Sequence, residues 1–128
     1  MFALAAWTTI VLLLIPVVRI RAALRREVRP NDFRFGESAA VPGQVSLPNR
    51  NYMNLLELPV LFYVLCLALY ATAHVTPAML WLAWAYVAFR VVHSIVHLTY
   101  NDVRHRGLGF AASNIVLLIM WIRFFIAL

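Results

Sequence analysis

The sequence predicts an all-α fold, an integral membrane four-helix bundle made by one domain over residues 1–128. Three observations lead there. The chain is 64% hydrophobic and only 12% charged, a balance too apolar for a soluble domain of this length. Its apolar residues gather into four segments, each near the roughly 20 residues that a helix needs to cross a bilayer. Its ionisable residues fall between those segments or along single helix faces.

The first helix is expected over about residues 2–26. Its apolar run Phe2–Val18 precedes its arginines. A cleaved leader has the reverse order, so the run reads as a retained helix, with Pro16 as a point for a kink. Arg19 and Arg21 close it, where cations meet the negative end of the helix dipole. The connection over about residues 28–49 holds Pro30, Gly36, Pro42, Gly43 and Pro48. It sustains no helical period, which predicts a long irregular surface loop.

The second helix is expected over about residues 51–73 and the third over about 77–103, joined by the short Ala73–Pro77 connection. Thr76 followed by Pro77 is a helix start, a capping side chain and then proline at the first helical position. Gly107 and Gly109 predict the turn into a fourth helix over about residues 108–128.

All eleven basic residues are arginine, and the net charge is +6. Seven lie between Arg19 and Arg50, and the third connection adds Arg104 and Arg106, whereas the second has only His74. The positive-inside rule then puts loops one and three in the cytoplasm and both termini on the opposite side, with Arg123 snorkelling to the outer interface. The same rule accounts for the basic balance without a nucleic-acid partner. The single cysteine, Cys66, excludes an intramolecular disulfide and reads as a small packing residue.

Two polar stripes break the apolar pattern. On the third helix Arg90, His93, His97, Asn101 and Arg104 project within an arc of roughly 80° at 100° per residue. On the second, Arg50, Asn54 and Glu57 are spaced i, i+4, i+7. Each charge at membrane depth costs roughly 2.5–3.5 kcal/mol on the gentler insertion scales, so two facing stripes predict a polar site between helices. Arg50, Asn54 and Glu57 offer donors and an acceptor suited to a small zwitterion. Arg90 is expected to pair with Glu57 or another buried acid, or to bind ligand. Arg104 is either a topology anchor or the stabiliser of an anion or thiolate, a task suited to a planar guanidinium. His105 and Arg106 fall off the stripe and read as loop charge. His93 and His97 have a spacing that can hold a metal, but with one carboxylate they make a thin set, and no metal is expected.

Arg50-x-x-x-Asn54-x-x-Glu57, followed by Pro59 and Phe62, resembles the helix-two signature of the MAPEG family, the membrane-associated proteins of eicosanoid and glutathione metabolism. Arg90-x-x-His93-x-x-x-His97 and then Arg104 is similar to that family's helix-three pattern, and Val18-Arg19-Ile20-Arg21 to the basic end of its first helix. The resemblance covers essentially the whole chain. It implies a homotrimer of four-helix subunits that binds glutathione, as substrate or cofactor, near the cytoplasmic helix ends between neighbouring subunits. It also implies that Arg50, Asn54 and Glu57 grip the tripeptide, that Arg90, His93 and His97 line the site, and that Arg19 or Arg21 completes it. Arg104 or a neighbour would be the catalytic residue that stabilises the thiolate. Two departures stand out. His97 occupies a position where better-studied members commonly have tyrosine, and Pro59 comes one residue closer to Glu57 than in some relatives.

The leading functional expectation is a glutathione transferase or peroxidase acting on a lipophilic small molecule delivered from the lipid bilayer. The alternatives are a non-catalytic scaffold of the same fold that binds thiol, lipid or protein, and a small transporter that uses Glu57.

Overall fold

A computed structural model describes all of residues 1–128. It consists of α1 (Phe2–Leu24), a 3₁₀ turn (Pro30–Phe33), α2 (Gly43–Leu56), α3 (Pro59–Ala71), α4 (Pro77–Leu98) and α5 (Val103–Ala127). No strand is present beyond one isolated bridge, Arg34 to Gly36. Four stretches are long and apolar enough to cross a membrane: α1, the nearly continuous Gly43–Ala71, α4 and α5.

The helix boundaries differ from those read in the sequence, each for a local reason. Helix two starts at Gly43 instead of about residue 51, because the Pro42 and Gly43 pair opens a helix, and Pro48 is accommodated within it. It then breaks at Glu57, whose ψ is −101°, because Pro59 has no N–H for the carbonyl four residues back and its ring would clash there. Pro59 instead begins α3. Helix three stops at Leu98 instead of running to about Val103. Asn101 takes φ +49° and donates its N–H to the Val96 carbonyl at 2.8 Å, ending the helix in the left-handed region that asparagine tolerates. Asp102 starts α5 by accepting the N–H groups of Arg104 at 2.9 Å and His105 at 3.0 Å. Gly107 and Gly109 therefore lie inside α5 instead of forming the turn. Loop one is shortened accordingly, with its 3₁₀ turn packed beside α1.

The apolar core forms along the helix seams. Leu4 and Val11 of α1, Leu55 of α2, Phe62 and Leu65 of α3, Tyr86 of α4 and Leu117 and Met120 of α5 are buried together. Phe62 stacks on Tyr86 with ring centroids 4.5 Å apart. Ser94, fully buried on α4, accepts from Trp7 Nε1 of α1 at 2.8 Å and from Asn51 Nδ2 of α2 at 2.5 Å. One small hydroxyl thus ties three helices together where bulk apolar packing alone would leave their rotation free. Only 27 of 128 residues are buried, and the exposed ones include Leu13, Val64, Trp81, Leu118 and Ile126. Such an outer surface fits hydrocarbon as solvent, since every helix satisfies its own backbone internally.

The alternating direction of the spans sorts the connections into two ends. Met1 and Phe2 meet Tyr70 and Val75 across one cavity, and Ala127 meets His74 across another, so the termini and the second connection share an end. At the other end, the second half of α2, the end of α4 and the start of α5 converge on a polar cleft.

Candidate functional site

The cleft has a volume of about 430 Å³ and is lined mainly by Arg50, Asn54, His93, His97, Arg106 and Phe110. Arg50 and Asn54 are one helical turn apart on α2, and His93 and His97 one turn apart on α4, so each pair presents one face. α5 supplies Arg106 and Phe110, again one turn apart. Two guanidiniums face the cleft and no carboxylate does.

Both histidines are more than nine-tenths buried. His93 Nδ1 lies 2.8 Å from the backbone carbonyl oxygen of Arg106. A carbonyl only accepts, so Nδ1 carries the proton and donates it, and in the neutral ring Nε2 is left as an acceptor. Nε2 of His93 and Nδ1 of His97 have no hydrogen-bond partner within the chain. The ring centroids are 5.9 Å apart and meet edge to face. Gly109 makes this approach feasible: a Cβ there would sit 3.2 Å from His93 Cβ and 3.4 Å from His93 Cα. α5 can therefore press directly against the backbone of α4 at the depth of the cleft.

Arg90 lies behind the cleft wall, fully buried, and does not line the cleft. It meets no carboxylate, contrary to the expected pairing with Glu57. Its Nε donates to Tyr86 Oη at 3.2 Å, one terminal nitrogen to Asn54 Oδ1 at 3.0 Å and the other to Asn114 Oδ1 at 3.1 Å. The Phe110 ring faces its guanidinium carbon at 5.0 Å. Three neutral acceptors and an aromatic face thus take the place of a counter-ion. Because Asn54 gives its oxygen to Arg90, its amide N–H₂ is left to donate elsewhere.

The other residues singled out in the sequence lie apart from the cleft. Glu57 is exposed at the α2–α3 break, since the i+7 relation to Arg50 fails where the helix stops. Arg104 is exposed on the first turn of α5; the arc that joined it to Arg90 assumed one unbroken helix. Arg21 is exposed. Arg19 pairs with Glu37 at 3.0 Å and covers the Phe33 ring at 4.4 Å, fastening loop one to α1. Arg106, read as loop charge, is the residue that sequence reasoning missed. Its guanidinium donates to Asn101 Oδ1 at 2.8 Å, which aims it across the α4–α5 turn. The signal was present in Asn101-Asp102, a helix stop followed by a cap, which resets the helical phase. No group of three or more histidine, cysteine or carboxylate side chains is assembled for a metal.

A model of the MAPEG family matches residues 1–126. The chain belongs to the MAPEG family. It is accordingly a membrane protein of the family that handles glutathione and eicosanoids, and its four apolar spans agree with that membership. No curated protein and no solved structure matches the chain significantly. In this member of the family, the helix-two residues Arg50 and Asn54 and the helix-three residues His93 and His97 line one cavity, and Arg106 joins them from α5.

Proposed function

We propose that this MAPEG protein binds glutathione and activates its thiol toward lipophilic electrophiles or peroxides, as a transferase or peroxidase. The observation that carries the reading is the composition of the cleft: two guanidiniums without an acidic partner, an amide whose N–H₂ is left to donate and two unpartnered imidazole nitrogens, with no acid among them. Such a lining attracts a ligand of net negative charge, and glutathione carries two carboxylates against one ammonium. Arg50 and the Asn54 amide are proposed to hold a carboxylate end, and His93 Nε2 to accept from an N–H or ammonium of the peptide. His97 closes the wall beside them.

Arg106 is proposed to stand beside the sulfur. A free thiol ionises near pH 8.5, and a cation within a few ångströms lowers that by roughly 1–3 units. Arginine keeps its own proton, so the thiol proton leaves to water and the guanidinium stabilises the thiolate as a fixed charge. The thiolate then attacks an electrophile, forming the S–C bond as the leaving group departs, or attacks a hydroperoxide, forming an S–O bond as the O–O bond breaks and the alkoxide leaves to take a proton from water. In the second case another glutathione thiol then displaces that oxygen as water and gives the disulfide. The co-substrate arrives from the bilayer, which surrounds the apolar flanks of the cleft. Loops one and three are assigned to the cytoplasm, where glutathione is made. A homotrimer, with exposed Glu57, Arg21 and Arg104 available to a neighbouring subunit, completes the proposal.

The test is ultraviolet thiolate absorbance on adding glutathione to the purified wild type, Arg106→Ala and Arg104→Ala. A saturable signal in the wild type is expected to vanish in Arg106→Ala and persist in Arg104→Ala. Loss in Arg104→Ala alone would move the thiolate partner to the exposed arginine and hence to a subunit boundary. Glutathione binding with no thiolate signal and no conjugation would assign the cleft to a non-catalytic binding role.

A further inference from the structure

At the end opposite the cleft, Arg123 stands roughly 29 Å along α5 from Arg104 at 1.5 Å per residue. It forms no ion pair within the chain. The five acidic residues, Glu27, Asp32, Glu37, Glu57 and Asp102, lie in loop one, at the α2–α3 break and at the α4–α5 turn. A counter-ion for Arg123 among the acidic side chains is thus ruled out by distance along the helices. Arg123 lines a cavity of about 90 Å³ with His74, Thr76 and Phe124. The His74 ring stands edge-on to Phe124 at 6.3 Å, and its Nδ1 is buried without a partner. Thr76 Oγ1 accepts the Met79 N–H at 3.3 Å, so its own hydroxyl proton is free to donate. The start of α4 adds the positive end of a helix dipole. A guanidinium, a hydroxyl, an imidazole and a helix start together suit an oxyanion.

The small polar cavity does not stand alone. Leu69 and Met79 line it and also line a cavity of about 440 Å³ whose ten residues are all hydrophobic. Val75, between His74 and Thr76 in the chain, belongs to that apolar cavity. Leu80 and Ala83 carry the apolar lining onward to a further cavity of about 210 Å³ that reaches Trp84 and Val87. From Met79 to Val87 this track follows α4 for about 12 Å toward the bilayer centre. A donor pocket at the headgroup level thus opens beside an apolar track running inward, with the His74–Thr76 connection bordering both.

We infer that this end of the molecule is a phospholipid site, with the phosphate held by Arg123, Thr76 and His74 and one acyl chain lying along Leu80, Ala83 and Trp84. The inference is independent of the thiol reading. An amphiphile with a phosphate at one end matches both halves, whereas soluble phosphate matches only the polar half.

Native mass spectrometry on the full-length protein in detergent tests it, with phosphatidylglycerol, a diacylglycerol of the same chains, and inorganic phosphate as probes. The wild type is expected to retain phosphatidylglycerol about ten-fold better than diacylglycerol, the scale of one charge-assisted contact. Arg123→Gln, an exposed substitution, is expected to erase that preference, and Arg21→Gln at the other end to leave it intact. Leu80→Trp is expected to lower retention of both lipids by obstructing the track. Equal retention of the two lipids by the wild type, or an unchanged preference in Arg123→Gln, would overturn the site. Displacement of phosphatidylglycerol by an equal concentration of inorganic phosphate would overturn the lipid assignment, leaving a soluble-anion pocket.

Discussion

His93 of α4 donates its Nδ1 proton to the backbone carbonyl of Arg106 on α5, across 2.8 Å. The bond orients the imidazole, ties the two helices at the depth of the cleft and leaves Nε2 without a partner. A backbone acceptor suits this task because it moves only if α5 itself moves. The cleft is therefore as rigid as the α4–α5 seam.

That seam depends on Gly109. Gly109→Leu is expected to push α5 from α4, since even a Cβ would meet His93 Cβ at 3.2 Å. Overpacking of this kind costs about 1–3 kcal/mol, and glutathione affinity should fall with the lost His93 geometry. Gly107→Ala is the contrast: nothing lies within 4 Å of its added Cβ, and replacing glycine in a helix interior should gain up to about 1 kcal/mol. Thermal unfolding of both variants, with titration calorimetry for glutathione, would decide. A Gly109→Leu protein with native affinity would count against the seam's role.

The Arg90 network is expected to be sensitive to loss of a neutral acceptor. Asn114→Leu removes one partner from a fully buried guanidinium, and hydrogen bonds to charged groups contribute about 1.5–3 kcal/mol. The variant should lose stability on that scale while its cleft residues remain in place. A change below about 0.5 kcal/mol, the level of an uninvolved surface site, would show that water or lipid replaces the asparagine.

Asp102 links the start of α5 to pH. Accepting the N–H groups of His105 and Arg104 holds its carboxyl below the usual carboxylate range. A folded-state value below the unfolded one stabilises the protein above the unfolded pKa of about 3.9, and the gain is lost as pH falls through the folded value. The melting-temperature gap between wild type and Asp102→Ala should therefore be flat from neutral pH down to about pH 5 and close below it. A gap that persists undiminished at pH 2 would refute the charged cap.

Arg19 is expected to matter for loop one more than for ligand. Its ion pair with Glu37 is partly exposed, a class worth about 0–1 kcal/mol. Arg19→Gln should speed hydrogen exchange over residues 30–38 and change glutathione affinity less than about three-fold, below 1 kcal/mol. A ten-fold loss of affinity with unchanged exchange would return Arg19 to the binding site.

The polar stripes were legible in the sequence as far as the helices ran unbroken. Arg50 with Asn54, and His93 with His97, each share a turn, and each pair lines the cleft. Glu57 and Arg104 were assigned to the same stripes by extending the period onto the break at Glu57 and through Asn101-Asp102. Each break resets the helical phase, so the angular argument ends there. Arg106 was missed for the same reason, because its phase belongs to α5 and not to α4.

By itself the sequence determined the family, the four apolar spans and the two short pairs that meet in the cleft. The spans and the pairs follow from composition and from local periodicity, which act within a single helix, and the family from the resemblance of the motifs around Arg50 and Arg90. Only the tertiary structure decided that Arg106 joins Arg50 at the cleft while Arg104 does not, why Arg90 needs no acid and how Ser94 joins three helices. These outcomes depend on distances between side chains far apart in sequence. Such distances follow from the packing of whole helices, with Gly109 against His93 as the clearest case.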